Sequence, residues 1–190
     1  AQESRGLGDV YKRQMPSFHP EPPFTHGQAD RTAVLLCNLG TPDEPTAPAV
    51  RRYLAQFLGD HRVVEIPKLL WMPILHGIIL RIRPAKSAAK YASIWTPEGS
   101  PLAHWTAKQA TLLRGWLGEA GHAVLVRHAM RYGNPSIASQ LDALKAEGAT
   151  RILILPLYPQ YSATTTASVF DAVYTLSLIH ISEPTRLLSI

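Results

Sequence analysis

Arg151–Ser168, RILILPLYPQYSATTTAS, opens as an apolar run, passes two prolines and an aromatic pair, and ends in hydroxyls. An apolar run of about five residues bounded by turn signals fits a strand buried on both faces. Pro156 and Pro159 end its ladder, because proline has no N–H to donate. Ser162, Thr164, Thr165 and Thr166 are suited to capping and opening a helix. The stretch therefore reads as strand, polar loop and helix start. In open parallel sheets the carboxyl ends of strands border the ligand crevice, although an ordinary strand–loop–helix joint has the same pattern.

Upstream, the alternation repeats. Thr32–Leu39 reads as a buried strand broken by Gly40-Thr41-Pro42-Asp43. Gly40 either lets the backbone approach a ligand or makes a plain turn. Ala47–Leu58 places Val50, Tyr53, Leu54, Phe57 and Leu58 on one helical face. Val63–Ile66 suits a short extended piece. Pro67–Leu80, PKLLWMPILHGIIL, is apolar nearly all round, and Pro73 kinks or divides it. Arg81, Arg83 and Lys86 follow directly. That pairing suggests a membrane-surface lip or the mouth of an apolar ligand site, or else a buried helix with solvated basic ends.

Pro84–Ser93 and Leu102–Leu117 read as helices separated by a loop, the second ending near Gly118 and Gly121. His122–Ala129 alternates as a strand, Met130–Pro135 forms a loop, and Ser136–Glu147 forms a helix with Pro135 near its start. Strands alternating with helices imply an α/β fold with a parallel sheet and right-handed crossovers. Three loops, at 38–43, 130–134 and 157–166, should meet at one edge.

The 190 residues are 46% hydrophobic and 17% charged, which is globular rather than disordered. One cysteine, Cys37, excludes an internal disulfide framework and cannot build a zinc site; it points to a reducing compartment. The net charge of +5 is scattered, which disfavours nucleic acid as a partner. No run reaches the roughly 18 apolar residues of a membrane span, and no signal peptide opens the chain. A cytoplasmic location with peripheral membrane contact through Pro67–Leu80 is the expectation.

The two ends read poorly as fold. Ser4–Gln14 and Leu176–Arg186 can be encoded as reverse complements of one another along both segments. Gln14 as CAG gives CTG for Leu176, Tyr11 as TAT gives ATA for Ile179, and Gly6 as GGG gives CCC for Pro184. The pair resembles translated sequencing-library adapter in its two orientations. Residues 1–14 and 175–190 are therefore expected to be non-native, and 15–31, rich in Pro and His, a flexible extension. His180 and Glu183 fall in the excluded part.

There is no G-x-G-x-x-G, Walker lysine, G-x-S-x-G or H-E-x-x-H, and His104, His122 and His128 are isolated. The converging loops offer Arg131, Tyr132, Tyr158, Tyr161 and several hydroxyls. Arginine suits a carboxylate, and tyrosines supply flat faces with polar tips. Arg83 and Tyr91 repeat that chemistry. Such a pocket fits a large planar acid better than a nucleotide or sugar.

CNLGTP (Cys37–Pro42), GSPL (Gly99–Leu102), MRYGNP (Met130–Pro135) and LPLYPQYSATTTAS (Leu155–Ser168) resemble the ferrochelatase family, in that order, across roughly 32–174. The resemblance implies a Rossmann-like chelatase domain with a parallel sheet, the first of two such domains. It also implies insertion of Fe(II) into protoporphyrin IX, with iron as substrate, no required cofactor and no iron–sulfur cluster in this segment. Carried over by motif, Arg83, Tyr91, Ser100, Arg131 and Tyr132 match porphyrin contacts, and Tyr158 and Ser162 match the loop beside the metal path. The family's metal-handling His and its acidic partner lie in segments this chain does not contain. No catalytic residue or metal ligand is therefore expected in the fragment, which is expected to be inactive. A chelatase for another tetrapyrrole, such as coproporphyrin, and a non-catalytic tetrapyrrole-binding module are the competing expectations.

Overall fold

β1 (Thr32–Gly40) has no solvent-facing side: Ala33, Val34, Leu35, Leu36 and Cys37 are each at most 9% exposed. It is the central strand of a three-stranded parallel sheet in the order β2-β1-β3, with β2 at Leu125–Tyr132 and β3 at Arg151–Pro156. The computed structural model describes residues 29–177. Within them, Ala29–Val173 form one compact unit. The expected adapter-like segment at 1–14, residues 178–190 of the one expected at 175–190, and 15–28 of the expected extension lie outside the described residues, while 175–177 are helical.

α1 (Ala47–Gly59) follows β1 and buries Ala49, Val50 and Tyr53. The expected extended piece at Val63–Ile66 is not a strand. Val63 and Val64 both donate to the Asp60 carbonyl at 3.0 Å, closing a turn instead. The apolar segment forms α2 (Lys68–Ile74), a π turn (Leu75–Ile79) and α3 (Leu80–Ile94), so one helical path carries both Pro73 and Pro84. Pro84 does not start a helix as expected; it lies inside α3. The Leu80 N–H donates to the Leu75 carbonyl across the π turn. Leu75, Leu80, Pro84 and Ala88 are buried against the protein, and α3 packs on α1. The outward side is bare: Leu69 is 87% exposed, and Leu70, Met72, Ile74, Ile78 and Ile82 are exposed with it.

α4 (Pro101–Glu119) and α5 (Ile137–Ala146) both pack on β2 and β1. The β1-to-β2 connection runs one way along the sheet, and the β2-to-β3 connection runs back. With right-handed crossovers this reversal sends α4 and α5 to opposite faces. Ala110 of α4 lies in one core cluster with Val34, Leu36 and Val126.

β2 starts three residues later than the sequence suggests and runs on through Met130, Arg131 and Tyr132. β1 extends to Gly40 and offers a partner throughout, with Gly40 opposite Tyr132. β3 also departs from expectation. It is an edge strand in which Leu153 is 56% and Leu155 42% exposed, not a strand buried on both faces. These residues lie opposite Val34 and Leu36, on the face that α4 covers farther along the sheet. The ladder passes Pro156, because the Leu157 N–H donates to the Cys37 carbonyl at 2.8 Å. The nitrogen of Pro156 is then turned to the open edge, where its missing hydrogen is not needed. Beyond the loop, a π segment (Ala163–Ala167) leads into α6 (Ser168–Ser177), and Ser162 caps it by accepting from Thr164 N.

Candidate active site

The carboxyl ends of β1 and β2 interlock through two glycines. Gly40 has φ +107°, and a Cβ there would sit 1.8 Å from the Tyr132 carbonyl oxygen. Gly133 has φ +85°, and a Cβ there would lie 2.7 Å from the Thr41 carbonyl oxygen. Only glycine tolerates both constraints. The close approach at Gly40 is thus to the neighbouring strand's backbone, a role that neither sequence reading of that residue contained. Asn38 fixes the same edge from the α4 side, its Nδ2 donating to Thr106 Oγ1 at 3.0 Å.

An aromatic file crosses this edge. Tyr53 and Phe57 of α1 stack with ring centres 6.1 Å apart. Tyr91 of α3 meets Tyr53 edge-on at 6.3 Å, and Tyr132 meets Phe57 edge-on at 5.3 Å. The Tyr53 hydroxyl donates to the Gly40 carbonyl at 3.3 Å. Burial raises the Tyr53 and Tyr132 phenols above their ordinary value, so both stay neutral.

Beside the file lies a charged node. Asp60, the residue that ends α1, has a side chain only 7% exposed. Its Oδ2 accepts from Arg131 Nη2 at 2.8 Å, Tyr132 OH at 2.7 Å and Ser168 Oγ at 2.5 Å. Oδ1 accepts the Arg62 N–H at 2.8 Å. Burial opposes the charge, but the hydrogen bonds from Ser168 and Tyr132, the Arg62 N–H and the Arg131 cation outweigh it. The carboxyl is therefore held below its ordinary pKa. Arg131 Nε also donates to Ser168 O at 2.9 Å and Oγ at 2.7 Å, and the guanidinium lies 4.6 Å over the Tyr132 ring. One turn farther along α6, Asp171 receives two bonds from Arg62, at 2.6 and 3.1 Å.

The residues singled out in the sequence are distributed unevenly about this edge. Arg131 and Tyr132 sit in the node, with much of their polar capacity engaged by Asp60 and Ser168. Tyr91 joins the aromatic file. Arg83 is exposed on α3. Ser100 is 7% exposed and N-caps α4 through its carbonyl, which accepts the His104 N–H at 2.9 Å. Tyr158 follows β3; its hydroxyl is buried without a partner among the described residues, as is Thr41 Oγ1 after β1. Burial pushes the Tyr158 phenol up to about 12. Ser162 is held in its cap and within 3.0 Å of Thr164 Oγ1. Two buried hydroxyls left unpaired at the strand ends are groups that a polar ligand or ordered water would satisfy. Among the described residues, no group of three His, Cys, Asp or Glu is placed to hold a metal.

The ferrochelatase family matches residues 31–185. This chain belongs to the ferrochelatase family. The match runs past Tyr174. Curated ferrochelatases agree with it closely: that of Methylibium petroleiphilum is 76% identical over 82% of this chain, and that of a Polaromonas species 75% identical over 83%. The Dechloromonas aromatica ferrochelatase is 65% identical over a similar span. The chain covers 43–44% of the length of these relatives. As a ferrochelatase segment it carries the three-stranded parallel sheet flanked by helices that the motifs imply.

The sequence motifs did not point to Asp60 or to a role for Ser168, and they placed Tyr53 and Phe57 only on one helical face. One signal for Asp60 was available. An acidic residue at a helix C-terminus opposes the macrodipole, so its presence there calls for a cationic or hydrogen-bonding partner from elsewhere in the chain.

Proposed function

We propose that the protein to which this chain belongs inserts Fe(II) into protoporphyrin IX. The product is protohaem, iron is a substrate, the reaction is a lyase step of haem biosynthesis, and no resident cofactor takes part. The ferrochelatase match over residues 31–185 carries this reading. Two features of the site support it. The aromatic file of Tyr53, Phe57, Tyr91 and Tyr132 suits a flat macrocycle, and the unpaired Tyr158 hydroxyl suits a polar group of a ligand or a hydrated metal.

In this reading Arg83, Tyr91, Ser100, Arg131 and Tyr132 form part of the porphyrin mould, with Tyr158 and Ser162 beside the path of the metal. Walls that hold the ring out of plane would expose pyrrole nitrogen lone pairs, a form of ground-state strain. Metal entry also requires two pyrrole protons to leave to a general base. The 190 residues lack the His motif and acidic partner that the family resemblance assigns to this step, so the chain itself is proposed to bind porphyrin without turning it over. The test is a titration of the purified chain with mesoporphyrin, followed by addition of zinc. A saturable shift of the Soret band and zinc insertion no faster than in buffer are expected. A folded chain that leaves the Soret band unmoved overturns the porphyrin reading, and insertion above the buffer rate overturns the proposed inactivity. Tighter binding of coproporphyrin, with its four carboxylates, would move the substrate to that tetrapyrrole.

The bare face of α2 and the π turn, beside Lys68, Arg81, Arg83 and Lys86, supports peripheral contact with an anionic membrane surface. No described helix is long and apolar enough to cross a membrane. Co-sedimentation with phosphatidylglycerol vesicles, lost when Leu69 and Leu70 are both changed to Ser, is the expected result; unchanged sedimentation of that variant removes the contact.

A further inference from the structure

Asp60 is heavily engaged. Its Oδ2 accepts from Arg131, Tyr132 and Ser168, which leaves that oxygen no lone pair for a proton or a metal, while Oδ1 accepts the Arg62 N–H and lies 3.7 Å from His61 Nδ1. What the carboxylate does is hold its neighbours. It joins three segments distant in sequence: the turn after α1, the end of β2 and the start of α6. Arg131 is gripped along one edge, through Nη2 by Asp60 and through Nε by Ser168. Its face rests on the Tyr132 ring. Nη1 has no hydrogen-bond partner among the described residues, and the side chain keeps 22% of its surface exposed. A guanidinium is a planar fork, and fixing one edge fixes the direction of the remaining N–H groups.

We propose that Asp60 is a positioning residue that locks Arg131 so that its uncommitted Nη1 edge is presented, already oriented, to an acidic group of the bound ligand. Resting on the porphyrin reading above, that group is a carboxylate of the macrocycle. Free Arg131 would have to lose rotamer freedom on binding; clamped Arg131 has lost it beforehand. Ser168 acts in the same grip, and the aromatic file supplies flat contact that is independent of it.

The experiment is a double-mutant cycle on the full 190-residue chain, read as affinity for mesoporphyrin and for its dimethyl ester. Asp60→Asn and Arg131→Met are each expected to weaken binding of the free acid about tenfold. The double variant should be no weaker than Arg131→Met alone, and the ester should change less than about twofold in any of them. Ser168→Ala, which leaves every charge in place, should give a smaller loss with the same preference for the acid, and it serves if Asp60→Asn does not fold. An Asp60→Asn chain that melts cooperatively and binds the acid with unchanged affinity overturns the proposal. So does a loss that adds fully to that of Arg131→Met, or one shared by the ester. If the folded wild-type chain binds neither form, the porphyrin reading fails, and NMR of the Arg131 side chain still decides the role of Asp60. A slowly exchanging Nε–H and hindered guanidinium rotation are expected in wild type and should be lost in Asp60→Asn. The same signals in both chains would overturn the positioning role.

Discussion

β2 and β3 flank the same strand, run in the same direction and pair with β1 along their lengths, yet their fates differ. β2, LVRHAMRY, carries two arginines and a histidine, and its Val126, Ala129, Met130 and Tyr132 are each at most 6% exposed. β3, RILILP, is the more apolar of the two and leaves Leu153 and Leu155 in the open. Composition therefore does not decide burial here. Coverage does: α4 and α5 both lie on β2 and β1. Arg127 is accommodated on β2 because Glu147 and Gln140 of the following segment reach it. His128 is kept neutral by burial, which lowers its pKa.

The contrast can be broken by substitution. Gly40→Ala, at the join of β1 and β2, should have the largest effect. Its Cβ would overlap the Tyr132 carbonyl at a positive φ, and a loss of more than about 3 kcal/mol, or no folded chain at all, is expected in urea denaturation. Met130→Ala, at a fully buried β2 position, should cost about 2–5 kcal/mol by the same measurement. The node at the end of β2 should show in the pH dependence. Asp60 has a depressed folded pKa, so its contribution is present above the unfolded value near 3.9 and is lost as pH falls through the folded one. Wild type should lose stability below about pH 4, and Asp60→Asn should show a flatter acid limb in thermal melts. On β3, Leu153→Ser should cost less than about 1 kcal/mol and reduce light scattering of concentrated samples, since this residue sits on an uncovered edge. A cost equal to that of Met130→Ala would show that something covers β3. Arg151→Gln, which removes an exposed pair with Asp30, should change stability by less than about 1 kcal/mol.

This comparison also marks how far the sequence was legible. The apolar run of β1 leaves little alternative to a central strand, and the α1 face follows from spacing alone. The motifs at the strand ends marked the right edge of the sheet. Three things were hidden. The order of the strands decides which apolar run is covered, and order is not a local property of RILILP. The end of β2 moved because β1 offered partners as far as Gly40, a long-range condition that alternation within HAVLVRHA cannot express. Asp60 and Ser168 stand 108 residues apart, and nothing near either one announces the other. Gly40 was legible as special, but only the packing of Tyr132 against it shows why.

The π turn between α2 and α3 has a consequence of its own. Leu75 and Leu80 are five residues apart and both fully buried; in an uninterrupted α-helix they would point roughly 140° apart. The wider turn acts as a phase slip, bringing the two into line so that Pro84 and Ala88 continue inward at intervals of four. Removing one residue from His76–Ile79 would restore α pitch with Leu75 still in line, four residues before its buried partner, whereas α pitch imposed with every residue kept would rotate everything upstream by about 100° relative to α3. Leu69 and Leu70 would then swing around the axis while every side chain stayed the same. The direction in which this surface faces is thus set by the pitch of one turn, which takes up an extra residue without re-aiming the helix before it.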